Sequence, residues 1–263
     1  MNFETLNVEA SGAVGRLTLN RPEKLNAMNS AMLRELAEAA RWFDSQPDIR
    51  VVIVDGAGRA FSAGADLKDS SRREADGTWL GRRTAARAGS QMIDAVEAMS
   101  AVTIASVHGY AIGGAVLLMA ACDLRVATED AVFSIPEVEI GIPLAWGGIP
   151  RLVREIGPAL AKELVITCRR FTSQEAKAMG FINRVVPASE LEQQTAKLAE
   201  DIAAMPAVPV SITKDHVNAV TRAIAGATSY ADGDVLLSAF ASLEGIEARD
   251  AYLQRRLSRK DKS

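Results

Sequence analysis

Two short apolar runs, Val51-Val52-Ile53-Val54 and Val102 to Val107, constrain the fold of this chain more than any other feature. Each reads as a strand covered on both faces, which requires layers of helix on either side of a sheet. Each run leads to a loop of small residues: Phe61-Ser62-Ala63-Gly64-Ala65-Asp66-Leu67 and His108-Gly109-Tyr110-Ala111-Ile112-Gly113-Gly114-Ala115. A segment with helical patterning follows each loop. Small residues at such junctions let a ligand approach main-chain N–H groups that neither strand nor helix has used. Two such loops converging could aim two N–H donors at one oxygen, as stabilisation of a carbonyl oxyanion or enolate requires.

The rest of the chain extends the alternation. Gly15, Leu17 and Leu19 share one face of a strand that ends at Asn20-Arg21-Pro22. Residues 30–45 place Met32, Leu33, Leu36, Ala39, Ala40 and Phe43 at helical spacing. Residues 115–121 read as a buried helix, and Leu124 to Ala127 and Val132 to Ile135 as strands. This alternation predicts an α/β architecture with right-handed crossovers. Helices then dominate. Thr172-Ser173-Gln174-Glu175 and Ser189-Glu190-Leu191-Glu192 both match the capping box. Val185-Val186 is the last strand candidate. Residues 189–204, 209–225 and 229–257 read as three helices, with Pro206 and Pro209 breaking between the first two.

Bulk properties exclude several classes. A chain of 263 residues can bury a substantial core. A formal net charge of −3 argues against general nucleic-acid affinity. No stretch reaches the roughly 18 apolar residues of a spanning helix, and Met1-Asn2-Phe3-Glu4 lacks a signal-peptide pattern. Cys122 and Cys168 show no CxxC spacing and read as reduced thiols. Two histidines, His108 and His216, with no HExxH or Cys-His cluster predict no zinc or iron site. Neither GxGxxG nor GxxxxGK[ST] is present, so a dinucleotide or P-loop reading fails. The expectation is a cytoplasmic, metal-free protein that binds neither nucleic acid nor membrane.

The two loops, taken with Leu19-Asn20-Arg21-Pro22-Glu23-Lys24-Leu25-Asn26-Ala27-Met28, Cys122-Asp123, Pro136-Glu137-Val138, Gly147-Gly148 with Arg151-Leu152, and Gly180-Phe181-Ile182-Asn183, resemble the crotonase (enoyl-CoA hydratase/isomerase) superfamily over nearly the whole chain. The resemblance implies a spiral of ββα repeats over residues 1–200 that carries the active site. A helical C-terminal region, residues 201–263, would mediate assembly into a homotrimer or a hexamer built as a dimer of trimers. It implies an acyl-CoA substrate and no separate cofactor, coenzyme A being part of the thioester.

Carried over residue by residue, the resemblance makes the backbone N–H groups of Ala65 and Gly114 the oxyanion donors and Glu137 the acid/base. Gly114 opens a helix, so its free N–H gains from the helix dipole. Lys24, Leu25 and Ala27 would line the adenine and pantetheine site, with Ala63 and Leu67 along the same channel. The Asp69 to Gly89 stretch, with Arg72, Arg73, Trp79, Arg82, Arg83 and Arg87, corresponds to the variable region that shapes the acyl pocket, and its polar, glycine-broken composition suits a mobile loop. Arg255, Arg256, Arg259, Lys260 and Lys262 suit nucleotide phosphates, although a solvated helix end is the commoner meaning of such a run.

One departure bears on the reaction. Two-base hydratases of the family carry a second glutamate three residues beyond the oxyanion glycine, where this chain has Leu117. Adding water to a double bond favours two carboxylates, whereas moving a double bond needs one that takes a proton and returns it. Leu117, at the substrate site or in plain core, makes the surroundings of Glu137 apolar, and burial there should raise its pKa. Glu139 would point away from Glu137 if the stretch is extended. Asp66, Asp123 and His108 read as structural, and His216 as surface. The leading expectation is an enoyl-CoA isomerase, with 2-enoyl-CoA hydratase the alternative and a non-catalytic acyl-CoA-binding protein a remote one.

Overall fold

The computed structural model describes residues 2–69, 78–225 and 229–260. In chain order the first elements are Leu6–Ser11 (β1), Val14–Leu19 (β2), Ser30–Asp44 (α1), Val51–Gly56 (β3), Trp79–Glu97 (α2) and Val102–Val107 (β4). Tyr110–Ile112 (β5), Gly114–Ala121 (α3), Leu124–Thr128 (β6), Val132–Ser134 (β7) and Gly148–Thr167 (α4) follow. Phe171–Thr172 (β8), Ser173–Ala178 (α5) and Arg184–Val186 (β9) complete the mixed region. Leu191–Ala203 (α6), Ala207–Ala225 (α7), Asp232–Ala241 (α8) and Leu243–Lys260 (α9) end the chain.

Six strands form the main sheet in the order β1-β2-β3-β4-β6-β9, and β5-β7-β8 form a second, smaller one. Only the β1–β2 hairpin is antiparallel in the main sheet. The chain alternates between the sheets, β4 to β5 and β6 to β7, before each return helix. This is the winding expected of ββα repeats.

The apolar runs are covered on both faces. Val52 and Val54 of β3 face the larger core with Met32, Leu36 and Phe43 of α1, while Val51 and Ile53 face a smaller core with Leu191, Leu198 and Ala199 of α6. Each such side chain contributes about 1.5–3 kcal/mol when taken out of water, and neither face could be polar without an unpaired group in the core. The apolar spacing of α1 is fully realised, and Asn29 caps it by accepting from the Met32 N–H at 2.9 Å.

The C-terminal half departs from expectation in three places. Thr172 makes the full capping box with Glu175, but Ser189 does not: Pro187 starts a 3₁₀ turn over Ala188–Glu190 that already contains it. Pro209 sits inside the first turn of α7 instead of ahead of it, where its missing N–H costs nothing. The 229–257 segment is two helices, because Ser242 is extended (ψ 142°) and its Oγ accepts from the Gly245 N–H at 3.0 Å, starting α9 afresh. The division expected between residues 200 and 201 falls within α6, Leu191–Ala203. In the 69–89 stretch, Arg72 and Arg73 lie outside the described residues. From Thr78 onward it is regular helix, capped by the Thr78 hydroxyl and tied by Arg83 to Asp234 at 2.6 Å. Among the described residues no helix is long and apolar enough to cross a membrane.

Candidate active site

The two small-residue loops meet because each completes the other's hydrogen bonding. The Ser62 N–H donates to Tyr110 O at 3.0 Å and the Ile112 N–H returns to Ser62 O at 3.1 Å, while Phe61 N–H donates to His108 O at 2.9 Å. On its other side the first loop pairs with the 25–28 segment: Met28 N–H to Gly64 O at 2.8 Å, Asp66 N–H to Met28 O at 2.9 Å and Ala63 N–H to Leu25 O at 2.8 Å. Gly64 has a φ of 81°, and a Cβ there would overlap the Ile112 carbonyl oxygen, so only glycine lets the loops approach this closely.

The accounting of N–H groups isolates two donors. Among the described residues every N–H between Phe61 and Asp66 finds an acceptor except that of Ala65, the Gly64 N–H taking Ser62 Oγ at 3.1 Å. In the second loop Ile112 N–H donates to Ser62 O and Gly113 N–H to Ser134 O at 2.8 Å, leaving Gly114 N–H at the first position of α3 without an acceptor among the described residues. The two are close: the Cβ position of Gly64, next to Ala65, is 3.4 Å from the Gly114 nitrogen. Unused N–H groups at a helix start carry the positive end of its dipole.

Glu137 sits opposite them. It lies in a tight turn after β7, held by Ile140 N–H to Pro136 O and Ile142 N–H to Glu137 O at 3.1 and 3.0 Å. Its Oε1 lies 2.5 Å from where a Cβ of Gly113 would be, and Gly113 has a φ of 55°. Its Oε2 is closed off from solvent and has no hydrogen-bond partner. Burial pushes this carboxyl up to about 7, a bond from its own backbone opposing only weakly. A carboxyl poised near neutrality can both accept and return a proton.

A cavity of about 600 Å³ joins these groups. Of the residues expected at the site, Glu137, Ala65, Leu25, Ala63 and Leu67 line it, and Gly114 sits immediately behind Gly113 and Gly64, which also do. Three expected binding residues do not line it. Lys24 ends a 3₁₀ turn and points to solvent, the chain reversing at Leu25 (φ 52°). Ala27 offers its carbonyl to Arg21 instead. Leu117 is core, 1% exposed, against Leu144 and Gly148 at the start of α4, because α3 is apolar all round and packs on α4 there.

Other assignments resolve into structure. Asp66 pairs with Arg21 at 3.0 Å, Asp123 accepts from Thr103 and from Lys214 at 2.6 Å, and His108 Nε2 bonds Gly58 O. His216 is on the surface. Glu139 is not turned away by an extended chain, since the turn at 136–141 brings it to the same cavity as Glu137, where it pairs with Arg255 at 3.2 Å. Sequence reasoning missed Tyr252, Arg59 and Arg170 on the cavity wall. They come from elements far apart in sequence and carry no local motif. The side chains of Arg256, Arg259, Lys260 and Lys262 lie outside the described residues. A larger cavity of about 730 Å³, between α6, α7 and the edge of β4 and β6, contains the satisfied Lys214–Asp123 pair and none of the groups above. No cluster of metal-ligating side chains occurs among the described residues.

Comparison with known proteins identifies the family. The family model for enoyl-CoA hydratase/isomerase matches residues 9–260. A probable enoyl-CoA hydratase of Mycobacterium tuberculosis is 36% identical over 259 residues, 97% of each chain, and a short-chain-enoyl-CoA hydratase of Clostridium acetobutylicum is 30% identical over 257 residues, again 97% of each. The crystal structure of an enoyl-CoA hydratase/isomerase from Xanthobacter autotrophicus Py2 superposes with a TM-score of 0.87 at 29% identity, covering 98% of this chain and 99% of that one. With the ββα winding, the paired small-residue loops and a match over nearly its full length, the chain belongs to the enoyl-CoA hydratase/isomerase family, the crotonases.

Proposed function

We propose that this protein isomerises enoyl-CoA thioesters, moving a double bond from the 3 to the 2 position with Glu137 as its proton carrier. The thioester oxygen accepts hydrogen bonds from Ala65 N–H and Gly114 N–H. Glu137 takes a proton from C2 of the 3-enoyl group, the electrons delocalise onto the held oxygen as a dienolate, and the same carboxyl returns the proton to C4. One such donor typically lowers the barrier by roughly 2.7–4 kcal/mol. The observation that carries this reading is Glu137, whose Oε2 is buried and unpartnered, the one such carboxylate among the described residues of the cavity, beside two unused N–H donors. Among the described residues the other carboxylate on the wall, Glu139, is exposed and paired with Arg255, so it is a poor second base. An unpartnered carboxylate is costly to bury, which also disfavours a protein that only binds acyl-CoA.

A second reading, 2-enoyl-CoA hydratase, is favoured by the names of the relatives, which are hydratases at 30–36% identity. Turnover of 3-enoyl-CoA and 2-enoyl-CoA by the purified protein, with products identified by mass, separates the two. Isomerisation more efficient than hydration supports the isomerase; the reverse order rejects it. Val208, Ile212 and Val220 of α7 are each more than half exposed, which suits burial between subunits of a homotrimer or hexamer. Light scattering of the purified protein reads the assembly.

A further inference from the structure

Trp146 is built into the site and has no part in the proton transfer. It lies in the loop entering α4, has a φ of 59° that a bulky residue adopts only under constraint, and is 8% exposed. Its indole occupies a slot between two glycines from different elements. A Cβ on Gly89 of α2 would overlap the ring at Cε2, Nε1 and Cδ2, and a Cβ on Gly114 would overlap Cζ3. Neither Gly89 nor Gly114 has a positive φ, so these glycines are required for room and not for backbone conformation. Residues from α2, the 145–148 loop and α3 thus combine to press an indole against the Cα of the residue whose N–H faces the thioester oxygen.

The acyl carbons of a bound thioester begin at the carbonyl held by Gly114. Glu137 Oε1 lies against Gly113, so C2 to C4 pass that carboxyl, and the space between α2 and α3 begins at Gly114, one residue on. The indole fills that space between α2 and α3, and it does not line the open cavity. We propose that Trp146 is a specificity-determining residue that closes the acyl end of the site and restricts the enzyme to short acyl thioesters. This deepens the acyl-CoA reading above and rests on it.

The test measures kcat/KM of the full-length protein on 3-enoyl-CoA and 2-enoyl-CoA substrates from four to twelve acyl carbons, for wild type, Trp146→Phe and Trp146→Ala. Wild type should lose at least about tenfold in kcat/KM from the short to the long end, the scale on which a closed apolar pocket rejects extra methylenes. Trp146→Ala should raise the long-to-short ratio by about tenfold or more, through KM for the long substrates, with Trp146→Phe between. A merely structural role would lower all lengths together. That uniform loss, or a wild type indifferent to length, overturns the proposal. If Trp146→Ala does not fold, the Trp146→Phe ratio decides on the same terms. Failure to convert any enoyl-CoA of any length overturns the acyl-CoA reading itself, and this proposal with it, which is a distinguishable result.

Discussion

Replacing Glu137 by glutamine tests the site without touching its shape. The carboxyl keeps its proton up to about pH 7 in the folded protein, against a reference value of 4.5. That difference corresponds to roughly 3 kcal/mol, at about 1.4 kcal/mol for each tenfold change in proton affinity. Between pH 4.5 and 7 the folded chain holds a proton that the unfolded chain has released. The stability contribution of Glu137 therefore falls as pH rises through this window and levels off above about 7. Glutamine is isosteric with the protonated form and does not titrate. Glu137→Gln should match wild type near pH 4.5 and exceed it by up to about 3 kcal/mol above pH 7.5. Urea denaturation across the range, at fixed protein concentration because oligomers unfold by mass action, reads the difference. The same substitution should cut kcat/KM at least about 10²-fold, and wild-type kcat/KM should rise with pH to a plateau above about 7. A variant no more stable than wild type at pH 8 would mean that the carboxylate is ionised against a hidden positive partner, and the proton-carrier argument would fail.

Three further substitutions probe neighbouring parts of the argument. Gly113→Ala places a Cβ 2.5 Å from Glu137 Oε1 at a φ of 55°, so turnover should fall about 10²-fold while the protein still folds; unchanged kcat would separate Glu137 from the reaction. Gly114→Pro deletes one oxyanion donor and should abolish turnover, read by steady-state kinetics on either substrate class. Arg125→Met breaks a buried pair with Glu155 at 2.6 Å and strands carbonyls of Cys122 and Phe181, so it should cost about 3–5 kcal/mol in chemical denaturation, an effect under 1 kcal/mol contradicting the buried-pair account.

Much of this protein follows from its sequence alone. The apolar runs at 51–54 and 102–107 needed helices on both faces, and β3 and β4 have them because period and composition act locally. The wording of the two loops pointed to unused N–H donors there, and the family resemblance it carries assigned them to Ala65 and Gly114, of which only Gly114 opens a helix. The motif around Pro136 marked Glu137 in the same way. Tertiary structure decided what depends on through-space neighbours. Whether Lys24, Ala27 and Leu117 reach the cavity was set by the turn at Leu25 and by α3 packing on α4, neither of which is written in those residues. Glu139 was brought to the cavity by the turn at 136–141, where an extended chain would have turned it away. The slot holding Trp146 exists only because Gly89 and Gly114, far apart along the chain, lie on facing helices. The raised pKa of Glu137 likewise belongs to no residue by itself: it is the free energy of closing water out from around one carboxylate, and only the folded chain does that.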